Sequence, residues 1–171
     1  MRLFPETPNR AGVKPTMQQY GLEKIISEHR FFKDLDPSFP ELVSGCAENV
    51  RFEAGSYLFN EGDDALALYL IRHGRVGLEI KGPGRAPMRF LTVGKGEIVG
   101  MSWIVPPYRW RYDAKAMEPV RAISLDAKCL LTKCEADNHL GYELMKRIVP
   151  TLAERLHGAR LQLLDVYAEP E

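Results

Sequence analysis

The first periodic stretch covers residues 17–32, where Leu22, Ile25 and Ile26, with His29, recur at helical spacing. Residues three and four apart share one face of an α-helix, so the stretch predicts a short amphipathic helix. Asp36 followed by Pro37 predicts a second helix. The carboxylate caps its first N–H groups, and proline suits a first turn, where its missing N–H is not needed. That helix runs to about Cys46. From Asn49 the period shortens. Short segments at 50–52, 57–59, 67–71, 76–80, 88–93, 97–100, 112–117 and 120–125 alternate with turn residues. Gly55, Gly62-Asp63, His73-Gly74, Gly82-Pro83-Gly84 and Gly94-Lys95-Gly96 punctuate them. Short strands at regular spacing predict an all-β sandwich or jelly roll. The plainest turn is Gly82-Pro83-Gly84.

After Asp126 the helical period returns. Residues 127–134 predict a short helix, and a longer one starts near Asn138. Tyr142, Met145, Val149, Leu152, Leu156, Ala159, Leu163 and Val166 then step by 3, 4, 3, 4, 3, 4, 3. Such a seam either packs on the chain's own barrel or pairs with a second copy. Its length favours a parallel dimer helix, because roughly 40 Å of helix at about 1.5 Å per residue outruns so small a barrel. Pro150 predicts a kink one turn back, where the helix leaves the barrel. The chain thus divides into a flexible lead-in (1–16), a β-barrel domain with N-terminal helices (17–137) and a C-terminal dimerisation helix (138–171). The lead-in leaves Met1 and Met17 both open as the native start.

Composition narrows the function. At 171 residues the chain suits one domain with appended helices. It carries 23 Lys+Arg and 23 Asp+Glu, so the formal net charge is zero. That argues against a whole-chain nucleic-acid binder. Three cysteines, Cys46, Cys129 and Cys134, make a poor disulfide framework and point to a reducing cytoplasm. No apolar run approaches the roughly 18–20 residues of a membrane span.

The order of elements resembles the cyclic-nucleotide-binding domain of the Crp/Fnr regulator type, over about residues 31–166. FEAGSYLFNEGD (52–63) is similar to that family's early strand pair. ALYLIRHGRVGLEI (67–80) is similar to its central hairpin, with Gly74 at the turn. GKGEIVGMSW (94–103) falls at its phosphate-binding cassette. The resemblance implies a double-stranded β-helix (jelly roll) plus the long dimer helix. It also implies a ligand, cAMP or cGMP, held by backbone N–H groups at a short helix start, by an Arg and by a ribose-binding carboxylate. Gly100 and the residues after it, including Ser102, can supply the backbone part. The side chains depart from the pattern. In a gapless alignment of 99–116, Met101 stands for the ribose Glu, Trp110 for the phosphate Arg and Asp113 for the hydroxyl residue after it. Methionine is a poor acceptor for a hydroxyl, and tryptophan carries no charge. Arg109 and Arg111 flank the missing position. They either rebuild the anion site, stay solvated or pair with Asp113 and Glu97, or serve an unrelated ligand. Trp103 and Trp110 either stack a purine or fill the cavity that it would occupy.

Other chemistry is weakly signalled. Gly94, Gly96 and Gly100 lack the dinucleotide fingerprint and its βαβ context. His29, His73, His139 and His157 show no metal-ligand spacing and are expected at the surface or as caps. Cys129 and Cys134 lie five apart, too few thiols for an iron–sulfur cluster. Nothing selects a haem. No Ser-His-Asp or Cys-His arrangement occurs, and Asp63-Asp64 in a turn are expected to be solvated. The expectation is a non-enzymatic, cytoplasmic, homodimeric ligand-sensing module without its own DNA-binding part, since the chain ends at Glu171. The alternatives are a ligand-free structural dimerisation module, or a transcription regulator acting through a partner.

Overall fold

The computed structural model describes the backbone of residues 18–167 and the side chains of residues 21–165. The lead-in, Met17 and the Val166 side chain lie outside these. Two helices open the fold, α1 (Gln18–Glu28) and α2 (Ser38–Ser44). Eight strands follow: β1 (Ala47–Phe52), β2 (Tyr57–Phe59), β3 (Ala67–His73), β4 (Val76–Ile80), β5 (Met88–Val93), β6 (Ile98–Val99), β7 (Asp113–Ala116) and β8 (Val120–Asp126). They are succeeded by α3 (Ala127–Ala136) and α4 (Asn138–Tyr167). The strands form two antiparallel four-stranded sheets, ordered β1-β8-β3-β6 and β2-β7-β4-β5. This is the jelly roll that the strand spacing predicts. β2, β4 and β5 coincide with the expected segments. β1 begins three residues early, because its polar start still pairs with β8 as far as Ala47↔Leu125.

Leu68, Leu70, Ile71, Leu78, Ile98, Val99, Ile123 and Leu125 fill the core between the sheets, each at most 2% exposed. At about 25 cal/mol per Å² of apolar surface removed from water, this burial is the main stabilising term. α3 is capped by Asp126, whose Oδ1 accepts the Cys129 N–H at 2.7 Å. α4 is rooted in the core by Leu140, Leu144 and Ile148. Gly141 lets it pass close to α3, since an added Cβ would stand 3.4 Å from Cys134 Cβ and O.

Three expectations fail. First, the cysteines are not three free thiols: Cys46 and Cys129 form a disulfide with Cα atoms 5.6 Å apart. Their separation of 83 residues hides this from the sequence. The β1–β8 ladder closes the distance, and the Asp126 N–H bonds Cys46 O at 2.9 Å just beyond it. Cys134 alone is free, so the cysteines no longer argue for a reducing compartment. Secondly, His29 is buried, 7% exposed. Its Nε2 lies 3.0 Å from Ile71 O, and its Nδ1 accepts the Phe31 N–H at 3.2 Å. Those partners fix a neutral tautomer with the proton on Nε2. Burial, with the nearby Arg72, lowers its pKa despite the opposing Ile71 bond. Thirdly, α4 runs unbroken through Pro150 and does not leave the barrel there. Arg155 and Gln162 still donate to the carbonyls of Ile98 and Phe90.

Candidate functional site

The cassette begins where β6 ends. Gly100 has φ +90°, a conformation that favours glycine. An added Cβ there would also meet Trp110 Cη2 at 2.8 Å and Ala67 O at 3.0 Å. Beyond it, Met101 leads into a single 3-10 turn, Ser102–Ile104. Met101 and Trp103 are both buried, and Ser102 is half-buried. The loop returns through Trp110, whose N–H bonds Asp63 O and whose carbonyl accepts the Gly62 N–H, both at 2.9 Å. The Trp110 ring stacks on Phe59 at 3.8 Å between centroids and 13° between planes. Gly100, Met101, Trp103 and Trp110 thus come together, but as packed core.

The charged candidates disperse. Arg109 Nη1 donates to Gly62 O at 2.7 Å, and Nη2 lies 3.5 Å from Asp64 Oδ1. The guanidinium therefore clamps the neighbouring turn. It pairs with neither Asp113 nor Glu97, and Asp64 is not simply solvated. Arg111 is exposed and has no ion pair among the described residues. Asp113 is 1% exposed. Its Oδ1 accepts the Glu61 N–H at 2.7 Å, and Lys81 Nζ sits 2.6 Å from Oδ2 in an off-axis ion pair. Burial opposes ionisation of Asp113, yet Lys81 and the Glu61 N–H outweigh it and hold the carboxyl below the ordinary aspartate value. The Asp113 charge is thus neutralised away from any ligand.

The residues that sequence reasoning missed lie on α4. A cavity of about 250 Å³ opens between β5 and α4, lined by Phe90, Leu91, Glu97, Arg155, Gly158 and Gln162 among others. A neighbour of about 220 Å³ is lined by Arg30, Glu97, Arg147, Thr151 and Glu154 among others. Arg155 Nη2 donates to Ile98 O, but Nη1 is buried with no hydrogen-bond partner, and so is Arg147 Nε. Such orphaned donors call for a specific explanation, because a buried unmet donor costs about 1–3 kcal/mol. Burial lowers the Arg155 pKa, against the raising effects of Tyr112 and Glu97. Tyr112, whose own pKa burial raises, faces both Arg155 and the Gly100 backbone. It thereby joins the cassette to the helix. A signal existed: Thr151 and Arg155 follow Arg147 at steps of four, one residue off the buried line Leu140, Leu144 and Ile148. The stripe turns polar while still facing the barrel.

No helix among the described residues is long and apolar enough to cross a membrane. Among the same residues, no group of three or more His, Cys, Asp or Glu is placed to hold a metal.

Comparison with known proteins agrees with the fold. The sequence model of the cyclic nucleotide-binding domain matches residues 49–137, just over half of the chain. A CRP-like cAMP-activated global transcriptional regulator of Mycobacterium tuberculosis is 25% identical over 145 residues. The match takes in 85% of this chain and 63% of the regulator, so the chain spans less than two thirds of that relative. A putative cyclic nucleotide-binding protein from Geobacter metallireducens superposes with a TM-score of 0.70 at 27% identity, covering 79% of this chain and 98% of that one. A cyclic nucleotide-binding domain from Methylobacillus flagellatus reaches a TM-score of 0.73 at 18% identity, covering 90% and 86%.

Proposed function

Since this chain belongs to the cyclic nucleotide-binding domain family, we propose that it senses a cyclic nucleotide whose phosphate is held from α4 instead of by a cassette arginine. The carrying observation is the buried, unpartnered Nη1 of Arg155 beside the cavity under α4. A guanidinium with a free donor can make a charge-assisted bond to the single phosphate of cAMP or cGMP. Gly100 and Tyr112 bring the cassette backbone to the same place. Neither Arg109 nor Arg111 is needed, and no catalytic step is involved.

The α4 helix would also carry the signal. One face of it walls the cavity, while another presents Tyr142, Val149, Leu152, Leu156 and Leu163, all between 41% and 61% exposed; Ala159, also exposed, stands at the boundary and lines the cavity. That unpartnered seam fits a homodimer with a second α4. A ligand that binds one helix position better than another shifts the pair between states. The regulator from Mycobacterium tuberculosis is a cAMP-activated transcriptional regulator by description. A corresponding transcriptional output of this chain through a partner or a further segment is part of the proposal.

A second reading has its own observation. Met101, Trp103 and Trp110 are buried where a ligand-facing cassette would open, which fits a ligand-free dimerisation module. Calorimetric titration with cAMP and with cGMP separates the two. Binding should appear, and Arg155→Met should weaken it about tenfold or more, the scale of a lost charge-assisted contact. No heat and no thermal shift with either compound at millimolar level sinks the sensing reading. The dimer is checked separately: light scattering should show half the mass for Leu156→Glu.

A further inference from the structure

A second groove shares no lining residue with the two α4 cavities. It measures about 400 Å³ and is lined by Arg72, His73, Lys95 and Arg121, with His29 and Gly96 at its floor and Glu28 on its rim. The β1-β8-β3 register sets Arg51, which is not a lining residue, beside it. Arg51 stands directly across from Arg121, and Arg121 directly across from His73. All three are exposed. Arg51 and Arg121 are like charges opposite one another across strands, which destabilises a sheet.

Some cations elsewhere on the molecule are paired, while others, Arg111 among them, are not. Arg75, Lys81, Arg89, Arg109 and Lys146 each have a carboxylate within 3.6 Å. Arg51, Lys95 and Arg121 have no ion pair among the described residues. Arg72 is held only by the neutral Asn49 amide, at 2.9 Å. On a chain of zero formal charge this is a local excess of cations. Among the described residues, Glu28 is the one carboxylate that lines the groove. The floor is preorganised: Ile71 O accepts from Gly96 N–H at 2.9 Å and lies 3.0 Å from His29 Nε2, while Ile71 N–H bonds Glu97 O at 3.0 Å.

We infer that this groove binds a compact polyanion bearing two or more linked phosphate groups, as in the phosphate chain of a nucleoside di- or triphosphate. Neighbouring strands lie about 4.8 Å apart, so the row Arg51–Arg121–His73 spans roughly 10 Å. That is wider than one phosphate can bridge and suits a phosphate chain. Each neutralised guanidinium would relieve part of the cross-strand repulsion, so binding and stability are coupled.

The test is thermal unfolding of the full chain with inorganic triphosphate at constant ionic strength. The ligand should raise Tm. Arg121→Gln should leave the ligand-free Tm unchanged or higher, since it removes repulsion, while weakening triphosphate binding about tenfold or more. Lys95→Gln, in a surface turn, should weaken it too and serves if Arg121→Gln misfolds. Arg155→Met should leave the triphosphate response intact. The proposal falls if millimolar triphosphate leaves Tm unmoved, if sodium chloride of matched ionic strength does the same as the ligand, or if both glutamine variants respond like wild type. It also falls if duplex DNA or an acidic peptide binds in an Arg121-dependent way while triphosphate does not.

Discussion

The cassette after β6 and the underside of α4 face each other across Tyr112, and they have opposite polar accounts. In the cassette loop almost every polar group has a local partner. Arg109 holds Gly62 and Asp64, Asp113 holds Glu61 and Lys81, and Trp110 is pinned to the turn before β3. Two of its buried atoms lack a hydrogen bond, the neutral donor Trp103 Nε1 and Asp113 Oδ2, and the second is neutralised by the Lys81 ion pair. Under α4 two charged side chains, Arg147 and Arg155, keep buried nitrogens without partners. A segment whose groups satisfy one another is built for stability, whereas a preorganised donor left unmatched is available to a ligand. On the function proposed above, the family's cassette serves here as a scaffold, and the charge for a phosphate comes from the helix.

The strongest way to break this comparison is Trp103→Ala. If the cassette is core, losing a tryptophan that is 1% exposed costs about 3–5 kcal/mol. For a chain of this size that lowers Tm by roughly 10 °C, which differential scanning calorimetry reads directly. A variant that keeps its Tm but loses cyclic-nucleotide affinity would make Trp103 a ligand contact and reverse the assignment. The next effect sharpens the helix side. Cys129 sits in α3, beside which α4 is rooted, and its bond to Cys46 closes a long loop. Reduction with dithiothreitol should lower stability by about 2–5 kcal/mol in chemical denaturation. The Cys46→Ser, Cys129→Ser double variant should show no response to the reductant. An identical denaturation midpoint for wild type with and without dithiothreitol would mean that the pair does not act as a tie.

The contrast between the two regions also explains what could be read beforehand. Strands and turns were legible because apolar segments and glycine turns set register locally: 57–59, 76–80 and 88–93 match β2, β4 and β5. The glycine at position 100 was legible for the same reason, since a positive φ leaves a mark in the residue type. Side-chain partners were not. Whether Arg109 reaches Asp64 or Asp113 depends on how two loops dock, and no spacing along the chain encodes it. The Cys46–Cys129 pair was hidden in the same way, by a ladder that joins the two ends of the barrel. On α4 the seam of Val149, Leu152, Leu156 and Leu163 stood out as apolar. The polar stripe beside it has the residue types of a solvated face, and only packing against β5 and β6 shows Arg155 to be half-buried.

The smallest expected effect discriminates most sharply between loop and helix. Arg109 is exposed, and its ion pair with Asp64 is long and partly solvated. Such pairs contribute about 0–1 kcal/mol, because water screens the charges and ordering two side chains costs entropy. Arg109→Ala should therefore move Tm very little and leave affinity for cAMP or cGMP where it was. Arg155→Met should show the converse, with the affinity lost and the stability changed little, because the buried unmatched nitrogen disappears together with the bond to Ile98 O. If Arg109→Ala instead weakens ligand binding about tenfold while Arg155→Met does not, the clamp on Gly62 opens to receive the phosphate. The anion then belongs to the loop, and the α4 cavity is packing space beside a working cassette.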